Sequence, residues 1–115
     1  MLKIQLKLKD TELKTIETDN PEITIGRSKK NDIHLNNLGV SKKHARILRK
    51  EGHYVIEDLQ STNGTFMLEE KIQRALLSGD DVITIGKYSL VISFNPPRPS
   101  GATSDISEDT ILVKQ

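Results

Sequence analysis

The chain of 115 residues contains no cysteine. Disulfides and cysteine-based metal sites are therefore excluded, which fits a reducing compartment and gives the cytoplasm as the expected location. Aromatic residues make up only 3%, too few for a platform on which bases could stack. No apolar run is long enough to span a membrane. The opening "MLKIQLKLKD" has no uninterrupted apolar stretch of the length a signal-peptide core needs, so none is expected. Helical spacing is also missing. "LEEKIQRALLSG", Leu68 to Gly79, comes nearest, but Gly79 and its short strand-like flanks favour extended structure. Neither sign of charge dominates: 17 basic residues face 16 acidic ones, a net of +1. The tail from Asn95 carries Arg98 and Lys114 against Asp105, Glu108 and Asp109, leaving +2 for the remainder. Broad positive fields of the kind that hold nucleic acid are absent, so any anion recognition must be local.

What the chain does have is period-two alternation. In "LKIQLKLK" Leu2, Ile4, Leu6 and Leu8 share one face, and Lys3, Gln5, Lys7 and Lys9 the other. "EITIG", "HARILRK", "HYVIEDL", "DVITIG" and "YSLVISF" continue the pattern with β-branched and aromatic residues. Turn signals at "DNP", "KEGH", "TNGT", "SGDD" and "IGKY" divide them. Apolar content of 35% and charged content of 29% suit a globular chain with one modest core. The expected fold is an all-β antiparallel sandwich. "NPPRPSGATS", Asn95 to Ser104, cannot continue a ladder and reads as a linker. The expected organisation is a domain over 1–94, a linker over 95–104 and a flexible tail over 105–115.

Three loops hold the chemistry-bearing residues. "IGRSKKND" puts Arg27 straight after Gly26. "NNLGVSKKH" ends in Ser41 and His44. "DLQSTNGTF" carries Asn63-Gly64, which predicts a tight type I′ hairpin turn with both residues at positive φ. A Ser41–His44 hydrolase is disfavoured: residues three apart on a strand face opposite ways, and no G-x-S-x-G elbow surrounds the serine. A phosphate loop at "GDDVITIGKYS" fails too, with Asp81 in place of its first glycine and Tyr88 in place of Ser/Thr. His34, His44 and His53 lack metal-ligand spacing, and no cofactor is expected. An arginine fork, a serine hydroxyl and a lysine charge at loop ends do suit a phosphate monoester. Taken singly, each residue has a plain reading: an ion pair for Arg27, a turn hydroxyl for Ser41, a hairpin for Asn63.

Their order resembles the forkhead-associated (FHA) domain, an FHA/SMAD-like sandwich. The matching pieces are "IGRSKKNDIHL", "VSKKHARI", "EDLQSTNGTFM" and "LLSGDDVITIG", running from about Ile23 to Phe94. The resemblance implies about eleven strands and a non-enzymatic module that binds phosphothreonine peptides through loops at one end, in Ser/Thr kinase signalling. It implies that Arg27 and Ser41 hold the phosphate and that Lys42 assists. Asn63 would clamp the peptide backbone and Thr62 would line the site. Gly26, His44 and Gly64 would support the site, with His44 a brace and no acid–base group. The uncharged Asn37, Leu38 and Gly39 favour an apolar residue three positions after the phosphothreonine. Phosphothreonine proteins, substrates of a Ser/Thr kinase, are the expected partners, and nucleic acid and membrane are not. In the tail, Thr110 after Glu108 and Asp109 is a candidate phosphosite that could dock into this domain or a second copy. Its plain reading is an incidental threonine in a connector. Two alternatives remain: the same fold binding an unphosphorylated partner through its sheet surface, and nucleic-acid binding through Lys29, Lys30, Lys42 and Lys43.

Overall fold

The computed structural model describes residues 1–94. The expected linker, tail and Thr110 lie outside the described residues.

Eleven strands follow one another: β1 (Leu2–Leu8), β2 (Thr11–Thr18), β3 (Glu22–Gly26), β4 (Ile33–His34), β5 (Ala45–Lys50), β6 (His53–Asp58), β7 (Thr65–Met67), β8 (Glu70–Ile72), β9 (Arg74–Leu76), β10 (Asp80–Ile85) and β11 (Tyr88–Ser93). They form two sheets, one in the order β2-β1-β11-β10-β7-β8 and the other β4-β3-β5-β6-β9. The alternation read from the sequence is the alternation of burial. Leu2, Ile4 and Leu6 of β1 face inward, as do Ile23 and Ile25 of β3, Ile83 and Ile85 of β10, and Leu90 and Ile92 of β11. Side chains of this size each contribute about 1.5–3 kcal/mol on burial, which makes this interior the main force holding the sheets together. Tyr54, near the start of β6, meets Phe94 with ring centroids 4.9 Å apart and closes the interior at the end away from Asp58.

The sandwich expected from the sequence is present, with three differences. First, β3 and β4 pair in parallel, Ile25 opposite Ile33 and Gly26 opposite His34, so the second sheet is mixed. Second, "TELKTIET" forms β2, an edge strand whose side chains are mostly exposed, so it lacks the alternation that marks a strand with a buried face. Third, Asn63-Gly64 is not a type I′ turn. Gly64 has φ +91°, but Asn63 is absent from the positive-φ residues. The type I′ pattern of two successive left-handed residues falls instead at Leu68 (φ +50°) and Glu69 (φ +66°), between β7 and β8. Asn63 is held in place by a side-chain bond to Gly39, so its conformation follows the loop and not the local dipeptide preference.

Candidate functional site

The loops after β3, before β5 and before β7 meet at one end of the sandwich. Arg27 leaves β3 and is fixed at two points. Its backbone N–H donates to the Ser41 carbonyl (2.9 Å) and its Nε–H to the Val40 carbonyl (3.1 Å). This second bond fixes the guanidinium and leaves its two terminal nitrogens without a hydrogen bond or ion pair among the described residues. Ser41 Oγ accepts the Thr62 backbone N–H (3.0 Å). A hydroxyl whose oxygen is engaged in this way still has its own hydrogen to donate. Asn63 Nδ2 donates one hydrogen to the Gly39 carbonyl (2.8 Å), which leaves its second hydrogen and Oδ1 for a ligand.

Arg27, Leu38, Gly39, Val40, Ser41, Thr62 and Asn63 together line a recess of about 120 Å³. Three other recesses on the described surface are larger. This one differs in having donors from three loops converging on it. The structure thus brings together Arg27, Ser41, Thr62 and Asn63 of the sequence-predicted set. It does not bring in Lys42, which is exposed beside the recess and absent from its lining. The Lys42 carbonyl instead accepts from Asn31 Nδ2 (2.7 Å) and the Ser28 N–H (3.3 Å), which ties two loops together.

Gly26, His44 and Gly64 sit behind the recess. A Cβ on Gly26 would collide with the Lys42 carbonyl oxygen. His44 is fully buried. Its Nδ1 accepts the Ser41 backbone N–H (3.1 Å), so the ring hydrogen belongs on Nε2, which donates to the Gly64 carbonyl (2.9 Å). Both nitrogens are therefore committed to backbone, and neither contacts Ser41 Oγ.

Sequence reasoning gave Asp58 no part in bracing the loops. Its carboxylate accepts from the Ser61 N–H (3.0 Å), the Ser61 hydroxyl and the Thr65 hydroxyl (2.7 Å), and Ser61 Oγ in turn accepts the Gly64 N–H (2.9 Å). Burial alone would raise the Asp58 pKa. The bonds from Ser61 and Thr65, with His44 nearby, outweigh it and hold the carboxyl below its ordinary value. The available signal was the acid three residues before a serine in a loop, a spacing at which a carboxylate caps downstream N–H groups.

The profile of the FHA domain matches residues 23–86, more than half of the chain. The chain belongs to the FHA domain family. Its curated relatives include the oxoglutarate dehydrogenase inhibitor of Corynebacterium diphtheriae, 37% identical over 68% of this chain and 54% of the relative. The glycogen accumulation regulator GarA of Mycolicibacterium smegmatis is 35% identical over 68% of this chain and 49% of the relative. The chain thus spans about half the length of the curated relatives it matches. Among solved structures, one from a structural and functional analysis of phosphothreonine-dependent FHA domain interactions superposes with a TM-score of 0.73 at 27% identity, covering 84% of this chain and 98% of that one. Mycobacterium tuberculosis EmbR in complex with a low-affinity phosphopeptide superposes with a TM-score of 0.74 at 26% identity, covering 85% of this chain and 25% of that one.

Proposed function

We propose that this FHA domain reads phosphothreonine in protein substrates of a Ser/Thr kinase, by binding and without catalysis. The observation that carries the reading is the donor geometry of the recess. The free end of the Arg27 guanidinium, the spare Ser41 hydrogen and the spare Asn63 amide converge on one small volume. That donor set matches a phosphate monoester with peptide backbone beside it. The solved neighbours, one phosphothreonine-dependent and one bound to a phosphopeptide, support the same reading. Binding without chemistry is supported by His44, whose ring nitrogens are both spent on loop backbone. It is also supported by the relatives, which are named an inhibitor and a regulator. Leu38 stands 91% exposed at the recess and favours an apolar residue three positions after the phosphothreonine.

The reading unit is residues 1–94. β1, β2 and β11 lie outside the span matched by the family, yet they supply half of the six-stranded sheet. The test is capture of degenerate peptide libraries with a fixed phosphothreonine, phosphoserine or unphosphorylated threonine. Micromolar capture of the phosphothreonine set alone, abolished by Arg27→Ala, is the expected result. Equal capture of unphosphorylated peptides, retained by Arg27→Ala, would put binding on the sheet surface instead.

A further inference from the structure

A second recess lies on the other side of the Ser41–Lys43 segment. Ser28, Lys30, Asn31 and Lys43 line it, with Thr24, Glu22, Arg46 and Leu59 completing the wall around about 360 Å³. Its chemistry repeats that of the first. Ser28 Oγ accepts the Lys30 backbone N–H (3.2 Å), as Ser41 Oγ accepts that of Thr62, so the Ser28 hydrogen is free to donate. Lys30 and Lys43 form no ion pair among the described residues. The one acid in the wall, Glu22, is already bound to Arg46 at 3.1 Å, and Arg46 is bound again by Glu57 at 2.9 Å. The backbone beneath is rigid, because Asn31 Nδ2 spans the Ser28 and Lys42 carbonyls (2.9 and 2.7 Å). Charge points the same way. Residues 27–43 hold Arg27, Lys29, Lys30, Lys42 and Lys43 against Asp32 alone, a net of +4 in a chain of net +1. Asp32 is itself engaged by the Thr24 N–H (2.9 Å) and hydroxyl (3.2 Å).

We infer that Ser28, Lys30 and Lys43 form a second anion subsite, which takes a second phosphate or carboxylate carried by the same phosphopeptide. The two recesses share a wall: Arg27 lines one and Ser28 the other, Ser41 one and Lys43 the other. Two residues of extended peptide span about 7 Å, the scale on which one ligand would engage two recesses lined by adjoining residues. The ligand class is thus a phosphothreonine segment with a further acidic group two or three residues away. This deepens the phosphothreonine reading and, for the peptide arm, rests on it.

The first test is a titration of the ¹⁵N-labelled full chain with inorganic phosphate, which needs no peptide. The Ser28 and Lys30 amides shift saturably, apart from those of Ser41 and Thr62. Combined Lys30→Ala and Lys43→Ala erases the first set and spares the second, and Arg27→Ala does the reverse. No saturable shift at Ser28 and Lys30, or a shift that survives the lysine substitutions, overturns the subsite. Failure of the phosphothreonine reading would show in the other pair of amides. The second test uses phosphothreonine peptides with phosphoserine, aspartate or alanine at each position up to three residues on either side. One position gains about tenfold in affinity from the added anion. The gain disappears with the two lysines, while the singly phosphorylated peptide changes less than about twofold. Phosphoserine exceeding aspartate identifies a phosphate, and equality identifies any acid. A uniform gain at every position, kept without the lysines, is diffuse attraction and sinks the proposal.

Discussion

His44 shows how much of the site one side chain holds. Its ring joins Ser41 to Gly64, its backbone N–H reaches the Ile25 carbonyl, and its carbonyl receives the Leu59 N–H. The sequence marks this residue by family resemblance, but its contact with Gly64, twenty positions on, depends on the fold alone. Gly26 is similar. Its conformation is ordinary, and what requires glycine is the Lys42 carbonyl packed against it. Because backbone oxygen cannot rotate away, Gly26→Ala is expected to cost about 1–3 kcal/mol and to weaken phosphopeptide binding by displacing the loop that carries Lys42. Calorimetric melting and peptide titration of the same variant check both. Asp58 gives a pH dependence. Its folded pKa lies below the ordinary carboxylate value of 3.8, so the unfolded chain takes up the proton first. Its contribution to stability is therefore complete above that value and drains away as pH falls through the folded pKa. As pH falls below about 4, the melting temperature of the native chain is expected to drop more steeply than that of Asp58→Asn. Parallel curves for the two proteins would remove Asp58 from the account.

At the scale of elements, legibility tracks burial on one face. β1, β3, β5, β6, β10 and β11 each bury alternate side chains, and each reads directly from the sequence. β2 and β8 are edge strands with little buried, and β4 is two residues long, so neither period nor length identifies them. The turn between β5 and β6 was legible because Gly52 (φ +82°) follows Glu51 (φ +52°) in "KEGH". The turn between β7 and β8 was not, because Leu68 and Glu69 have no preference for the left-handed region that the Met67–Glu70 pairing imposes. That mismatch is stored strain, of order 1–2 kcal/mol per residue. Replacing Leu68-Glu69 by Asn-Gly, the pair that suits this turn, is expected to stabilise the domain by about 1 kcal/mol and raise its melting temperature by about 4–8 °C. Leu68 is 93% exposed, so little packing is lost in the exchange. An unchanged or lower melting temperature would mean that the hairpin tolerates the two side chains without strain.

Over the whole molecule, charge is nearly balanced in sum and strongly uneven in place. The chain carries +1, and residues 27–43 carry +4 at the end where Arg27, Ser41 and Asn63 converge. The rest of the chain is therefore net negative, so the excess of positive charge belongs to this segment. Such a field acts on encounter more than on the bound contacts, because it extends over about a Debye length while Arg27 and Ser41 act at contact. Lys29 separates the two effects, since it is exposed and lines neither recess. Stopped-flow binding of a phosphothreonine peptide is expected to show an association rate falling about tenfold from low to physiological salt, with dissociation changing less than about twofold. Lys29→Glu should lower the association rate at low salt and converge on the native value at high salt, because screening removes what the lysine supplies. Arg27→Ala should raise the dissociation rate at every salt concentration. If Lys29→Glu instead speeds dissociation, Lys29 touches the bound peptide, and the positive end of this sandwich serves as part of the binding surface itself.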